Sequence, residues 1–479
     1  MLLLTHPYVL ALDPREAALG RPYSPLSTLV AGAALRARGH AVRFWDPMFE
    51  VDEGGFEAVL DRERPERVAI LADDHSVQIK QCLGRIRRAQ QAMAAACRRR
   101  GLPVFVAGPD VSDRPAEHLA AGASAAFVGD PTLALVEWAE GRRDLLGLHG
   151  EGGPGGRRPV ITDLDNLPLP AWELVDLAQY ARRWRTRHGH WEMNVWTARG
   201  CPFRCNWCAK PTWGRSYHVR SAEAVAAEIS LLRARYQPDR LWFTDDIFGL
   251  RPAWLRAFRV AIEAAGAPPL PYRCLSRADL LQDPAVVDAL AASGCDRVWI
   301  GAESGADSVL RRMDKDGTVA EIRRATENLH RRGVAVGFFL QLGYPGETLA
   351  DVRSTIDLVR TLRPDEIGVS VSYPLPNTVF YERVREHLLG TSWEASMENR
   401  TLFPAPYPQP FYDAAKELLR STHSGSRADL ALRALVQRPG RQSARRMVGA
   451  VYHRLRAPWM ERQLTRLAVP NPDAVTLPG

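Results

Sequence analysis

No stretch of this chain reaches the roughly 20 consecutive apolar residues that a bilayer-crossing helix needs, which predicts a soluble protein. Cysteine is scarce as well, seven in 479 residues. That is an odd number, and Cys82, Cys97, Cys274 and Cys295 are scattered without disulfide-like spacing. A disulfide-stapled secreted domain is thereby excluded, and a reducing cytoplasm is expected. The opening Met1 to Leu10 is apolar but short, lacks a basic lead-in and is broken by Pro7 before Asp13 and Arg15, so it is expected to be a first strand and not a signal peptide. Internal repeats of about 20 to 50 residues, the mark of a solenoid, are absent. The charge is not spread over the body, since the net +8 resides almost wholly in the last segment: from Ser421 onward there are ten arginines, no lysine and three acids. A near-neutral body argues against a general nucleic-acid surface, and no nucleic-acid partner is expected. The arginine-rich tail reads first as a solvated helical face, with peripheral contact to a membrane surface or an acidic substrate as the alternative.

At roughly 150 residues per domain, the length suggests two to four domains. Strand and helix patterns alternate from residue 1 to about 145, with strands at Leu2 to Leu4, Ala41 to Trp45, Val68 to Leu71, Val104 to Ala107 and Ala125 to Val128. Helical stretches fall at Leu26 to Arg38 and Ile79 to Arg99. This alternation predicts an α/β fold with a doubly wound, Rossmann-like parallel sheet, in which ligands bind beyond the carboxyl ends of the strands. A Gly-, Pro- and Arg-rich stretch, Gly147 to Pro159, then marks a linker over 146–190. Six more strand-helix units occupy 191–388, with strands near 192–198, 240–244, 271–276, 297–302, 333–341 and 366–373. Six units suit an open, partial TIM barrel better than the closed eight. Residues 389–479 read as a helical extension carrying Trp393, Phe403 and Tyr407 ahead of the arginines. By position it is expected to close the barrel mouth or to touch substrate.

Three cysteines stand out, Cys201, Cys205 and Cys208, spaced C-x3-C-x2-C in one loop directly after the first barrel strand. Thiolates favour zinc or iron–sulfur clusters, and a 4Fe-4S cube bound by three thiolates keeps one iron open. A closed zinc site wants a fourth ligand, and the nearest downstream candidate, His218, lies ten residues beyond Cys208. The other barrel strands end in polar runs that an apolar core would not choose: Phe243-Thr-Asp-Asp-Ile-Phe248, Cys274-Leu-Ser-Arg-Ala-Asp279, Ile300-Gly-Ala-Glu-Ser-Gly305, Leu340-Gln-Leu-Gly-Tyr-Pro-Gly-Glu-Thr348 and Ser372-Tyr-Pro-Leu-Pro-Asn-Thr378. Each by itself reads as a helix cap. On one rim, beside a thiolate loop, they read as a site.

In this order the motifs resemble the radical S-adenosylmethionine (radical SAM) family, in the branch that carries an N-terminal cobalamin-binding domain. The resemblance is specific over about 190–385 and weaker before it, where it rests on the opening strand, Tyr23-Ser-Pro-Leu-Ser-Thr-Leu29, Gly108-Pro-Asp110 and Gly129-Asp130. It implies that Cys201, Cys205 and Cys208 hold three irons of a 4Fe-4S cluster whose open iron chelates S-adenosylmethionine. Asp245 or Asp246 would accept from the methionine amine; adjacent strand residues face opposite ways, so one of the two points at the ligand. Glu303, Ser276 and Arg277 would handle the ribose and the methionine carboxylate, and the backbone around Trp207 and Gly343 would border the adenine. Cobalamin would lie against Ser76, Gly108, Pro109 and Gly129.

Such a site cleaves S-adenosylmethionine reductively, using an electron from an external donor such as flavodoxin or ferredoxin, and the resulting 5′-deoxyadenosyl radical takes hydrogen from an unactivated carbon. The expected outcome is methylation of an unactivated carbon, or of phosphorus, in a small molecule. Cyclisation, oxidation or rearrangement without methyl transfer is the first alternative, and a non-catalytic zinc module the alternative from another class. A sulfur-inserting RNA-modifying relative would need three N-terminal cysteines, where this chain has Cys82 and Cys97. The Asp-x-His-x-x-Gly loop that gives cobalt a histidine is absent after the first strand, where the chain reads Thr5-His-Pro-Tyr8, and His75 follows the third strand without the glycine. Histidine-on coordination is therefore not expected.

Overall fold

Leu2, Leu3 and Leu4 open strand β1 (Leu2–Thr5), and because successive strand side chains face opposite ways they feed two different cores. Leu2 and Leu4 pack with Ala31, Leu35, Phe105, Phe127 and Trp138. Leu3 packs with Phe56, Ile70, Met93 and Val106. A strand buried on both faces must be apolar throughout, which is why β3 (Arg67–Leu71) and β4 (Val104–Ala107) read as unbroken hydrophobic runs. The computed structural model describes residues 1–73, 83–210, 212–389, 400–437 and 441–476. His75, Ser76, Cys82 and Trp393 lie outside the described residues.

With β2 (Val42–Trp45), β5 (Ala125–Phe127) and β6 (Leu148–His149), these strands form a sheet in the order β2-β1-β3-β4-β5-β6. The first five run parallel. This is the doubly wound arrangement expected, and its winding reverses between β1 and β3. The segment read as a linker contributes something further: β6 adds an antiparallel edge to β5. Helix Leu177–His188 follows, its first turn capped by Asp176.

The second sheet follows chain order, β14-β13-β12-β11-β10-β7, the open half-barrel anticipated from six units. Its strands are β7 (Glu192–Val195), β10 (Arg240–Phe243), β11 (Tyr272–Ser276), β12 (Cys295–Glu303), β13 (Ala335–Leu342) and β14 (Glu366–Val371). β8 (Ala198–Arg199) and β9 (His218–Val219) make a separate antiparallel pair around the cysteine loop. Capping boxes start two of the connecting helices, Thr318 with Glu321 and Thr348 with Asp351. Three helices close the chain, Gln409–Ser426, Ala428–Gln437 and Arg441–Leu467.

The chain forms two compact units. The first holds residues 1–202, 210–248 and 257–272, and the second holds 203–209, 249–256 and 273–479. Among the described residues no helix is long and apolar enough to cross a membrane.

Candidate active site

In the first unit, strand β10 ends in two adjacent carboxylates with opposite surroundings. Asp245 is buried and accepts hydrogen bonds from the backbone N–H of Thr197 (2.7 Å) and Ala198 (3.0 Å) and from the Thr197 hydroxyl. Its carboxyl is pushed up to about 7 by burial, against the lowering effect of those three donors. Asp246 is exposed to solvent, although the protein around it is dense enough to desolvate its carboxyl. Burial raises its pKa and the nearby Lys210 ammonium opposes the rise. Lys210 also donates to the Cys201 carbonyl at 2.8 Å. The even choice left by sequence thus has a geometric distinction: Asp245 clamps the backbone that leads into the cysteine loop, and Asp246 remains open.

The approach to Cys201 is held from its other side. Arg199 pairs with Asp130 at 2.7 Å and donates to Thr132 at 3.3 Å. Its guanidinium lies 4.8 Å from the ring centre of Trp196 and 4.4 Å from that of Trp213. Gly200 then turns with φ of +82°, and a Cβ there would meet the Ser216 carbonyl oxygen at 2.0 Å, so only glycine fits between Arg199 and Cys201.

In the second unit, Asn206 sits between Cys205 and Trp207 and is almost wholly buried. Its side chain donates to the Arg312 carbonyl (2.7 Å) and to Asp314 (2.9 Å) and accepts from the Tyr344 hydroxyl (2.9 Å). Its backbone N–H donates to Met313 and its carbonyl accepts from Phe380. Five hydrogen bonds therefore fix the loop at one residue. Cys205 is buried, whereas Trp207, Cys208 and Ser276 are half-buried.

Arg277 follows β11 and stacks on Phe203 at 3.7 Å. It donates to Asp279, to the carbonyls of Lys315 and Asp316, and to the Cys205 sulfur at 3.6 Å. Four of the five guanidinium N–H groups are thus engaged within the protein. Glu303 ends β12 at a positive φ of 59°, where the register with β13 shifts, and meets Lys315 at 3.3 Å. Gly301 makes room for that pair, since a Cβ there would stand 2.7 Å from both charged groups. Gly343, at φ +79°, donates to Glu347 at 2.6 Å and lies under the Tyr412 ring. The C-terminal aromatics pack here: Phe403 is buried against Phe380, and the Tyr407 hydroxyl accepts from Leu349 N–H at 2.8 Å. They are core residues of the turn after β13.

At the reversal point of the first sheet, a small pocket is lined by His6 and Tyr8 after β1, Ala72 and Asp73 after β3, and Tyr23 and Ser24. His6 is held at both nitrogens, by Asp46 at 2.9 Å and by the Tyr8 N–H at 3.2 Å. Gly108 and Pro109 follow β4, and Gly108 lets the Ala72 carbonyl approach. Gly129 follows β5 and bridges to Arg158.

Residues 197–359 match the Radical SAM superfamily. An uncharacterized methyltransferase of Pyrococcus horikoshii is 28% identical over 227 residues, 47% of this chain and 48% of that one. Bacteriochlorophyllide d C-12(1)-methyltransferase of Chlorobaculum tepidum is 24% identical over 204 residues, 42% of this chain and 44% of that one. The chain spans about half the length of these curated relatives. Among solved structures, the cobalamin-dependent S-adenosylmethionine radical enzyme OxsB with aqua-cobalamin bound superposes with a TM-score of 0.73. The identity is 13%, over 97% of this chain and 72% of that chain, a likeness of fold.

The matching segment begins at Thr197, the residue clamped by Asp245, and encloses all three cysteines, both aspartates, Ser276, Arg277, Glu303 and Gly343. Its donor set suits a cluster: three thiols within eight residues, one of them already receiving an N–H from arginine. Among the described residues no three His, Cys, Asp or Glu side chains converge on a single ion. Sequence reading missed Asn206, Lys210 and the Arg199–Asp130 pair. The only signal for Asn206 was its place between two cysteines; its partners are more than a hundred residues away.

Proposed function

We propose that the protein is a cobalamin-dependent radical SAM methyltransferase acting on an unactivated carbon, or on phosphorus, of a small molecule. The observation that carries this reading is the thiol loop pinned at Asn206, with Cys205 under the Arg277 guanidinium, inside a segment that matches the radical SAM superfamily. When bound, the cluster with S-adenosylmethionine supplies reductive cleavage of the sulfonium, and cobalamin supplies methyl transfer. The chain's own residues bind and orient. Cys201, Cys205 and Cys208 hold one iron each.

Asp246, open where Asp245 is engaged, accepts from the methionine amine. Ser276 and Glu303 serve the ribose and carboxylate, and the backbone near Trp207 and Gly343 borders the adenine. Arg277 acts by positioning Cys205, because its donors are already engaged there. The first sheet takes an edge of cobalamin at the pocket between β1 and β3, near Gly108 and Pro109, where doubly wound sheets bind ligands. Gly129 supports that sheet through Arg158. His6, engaged on both sides, is not a cobalt ligand. The domain division 1–145, 146–190, 191–388 and 389–479 accords with this sharing of cofactors, and a small reductant protein such as flavodoxin or ferredoxin delivers the electron.

The test is anaerobic reconstitution with iron, sulfide and cobalamin, metal analysis of wild type and Cys205→Ala, and product analysis under reduction. Iron lost with cobalt retained in the variant, and both S-adenosylhomocysteine and 5′-deoxyadenosine from wild type, are expected. 5′-Deoxyadenosine without S-adenosylhomocysteine would mean a radical outcome without methyl transfer. No nucleoside release at all would overturn the proposal.

A further inference from the structure

The last helix, Arg441–Leu467, has two apolar faces, and the protein uses one of them. Ala450, Met460 and Leu464 are buried against helices Gln409–Ser426 and Ala428–Gln437, and His453 on the same face hydrogen-bonds to Ser421 at 3.2 Å. These positions recur at helical spacing, as a packed face must. On the opposite side stand Val448, Val451, Tyr452, Leu455 and Trp459, spaced i, i+3, i+4, i+7 and i+11, and all exposed. Leu455 is 76% exposed, Val448 62% and Tyr452 55%. An apolar residue alone on a surface means little, but five aligned on the outward side of one helix form a stripe that water solvates poorly.

The charge around the stripe identifies what covers it. By the helical repeat, Arg445 and Arg456 fall on one flank and Arg454 and Arg462 on the other, with Arg466 continuing the line. The Arg456 guanidinium lies 5.9 Å from the Tyr452 ring and 5.8 Å from the Trp459 ring and reaches Glu417 at 3.4 Å, so this arginine is held against the aromatic edge while Arg445, Arg454, Arg462 and Arg466 stay exposed. Glu461 is the single acid of the helix.

A second copy of this chain would bring the same arginines against these and be repelled. A nucleic acid would neutralise the arginines and leave the leucine and valine stripe wet. A bilayer with anionic headgroups satisfies both, with apolar side chains at the acyl boundary, Tyr and Trp at headgroup level, and guanidinium groups on phosphates.

We infer that the outward face of helix Arg441–Leu467 docks the protein on an anionic lipid surface. This goes beyond the proposed reaction and does not depend on it. The docking is peripheral, since the opposite face of the helix stays packed on the protein.

The test uses full-length protein without added cofactors, sedimented with vesicles of phosphatidylcholine alone or mixed equally with phosphatidylglycerol. Each arginine near an anionic surface changes partitioning about fivefold at physiological salt, so Arg454→Gln/Arg462→Gln lowers binding to the mixed vesicles about 25-fold. Leu455→Asn/Trp459→Ser lowers it at least tenfold by removing buried apolar surface, on the order of several CH₂ groups. The charge-matched control Arg15→Gln/Arg323→Gln, at exposed positions away from this helix, stays within about twofold. All substituted residues are solvent-facing, and matching thermal midpoints verify folding. Three results would overturn the inference: equal binding to both vesicle types, an equal loss in the control variant, or a wild-type dimer in light scattering that Leu455→Asn/Trp459→Ser dissociates.

Discussion

Arg199 and Asp130 form an ion pair at 2.7 Å in which neither side chain is more than 4% exposed. Sixty-nine residues separate them in sequence. Asp130 follows the last parallel strand of the first sheet and Arg199 stands two residues before Cys201. The pair therefore ties the entry of the cysteine loop to the N-terminal sheet within one compact unit.

Asp130→Ala leaves a buried guanidinium without its counter-charge. The cost expected is about 3–5 kcal/mol, because breaking a buried pair strands the remaining ion. Urea unfolding followed by circular dichroism measures it. A loss under about 1 kcal/mol, the range of exposed pairs, would show that the pair is solvated.

Asp245 and Asp246 separate in their consequences. Asp246→Asn weakens S-adenosylmethionine binding to the reconstituted protein about tenfold or more, the loss of a charge-assisted hydrogen bond. Asp245→Ala instead lowers stability by about 1–3 kcal/mol by leaving the Thr197 and Ala198 N–H groups unsatisfied, with affinity within about twofold. Equilibrium dialysis with labelled ligand, alongside thermal melts, distinguishes them; the reverse pattern would exchange their roles.

Arg277→Gln removes a positive charge and an N–H from the Cys205 sulfur. Hydrogen bonds to the sulfurs raise a cluster's reduction potential, so the variant's midpoint falls, on the order of tens of millivolts. Redox titration followed by electron paramagnetic resonance reads the shift. An unchanged midpoint would confine Arg277 to loop packing.

Glu347 is buried with its carboxyl pushed up to about 8, chiefly by burial, with one oxygen on the Gly343 N–H. A carboxyl raised in the folded state keeps its proton longer there than in the unfolded chain, whose value is near 4.5. Its stabilising contribution is complete below pH 4.5 and declines as pH rises through 8, at up to about 1.4 kcal/mol per pH unit. Asp245, at about 7, acts in the same direction over a lower window. Unfolding free energy should fall from pH 5 to 8 and fall less steeply in Glu347→Gln; parallel profiles would mean that Glu347 is ionised throughout.

Asn206→Ala removes three side-chain hydrogen bonds, leaves the Arg312 carbonyl unsatisfied in the interior and takes one of the Tyr344 hydroxyl's partners, Arg383 remaining. The orphaned carbonyl costs about 1–3 kcal/mol. Faster bleaching of the iron–sulfur absorbance in air is expected relative to wild type, and an equal rate would remove Asn206 from loop positioning.

Local pattern made much of this molecule legible. The alternation of Leu2, Leu3 and Leu4, the two capping boxes and the C-x3-C-x2-C spacing are short-range properties, because strand period, helix caps and loop ligands are set within a few residues. The strands and the cysteine loop could therefore be placed from sequence. Which aspartate faces outward could not, since both lie in the loop after β10 and are equivalent in sequence until a clamp such as Thr197 and Ala198 occupies one of them. Nor could the partners of Asn206, more than a hundred residues off, or the role of the Gly-rich stretch as a sheet edge. The arginine tail was visible as composition, but only helix packing decided that its apolar residues divide into one face turned inward and one left to solvent. Such choices depend on which distant surface a residue meets, and chain order does not encode that contact until the elements have packed.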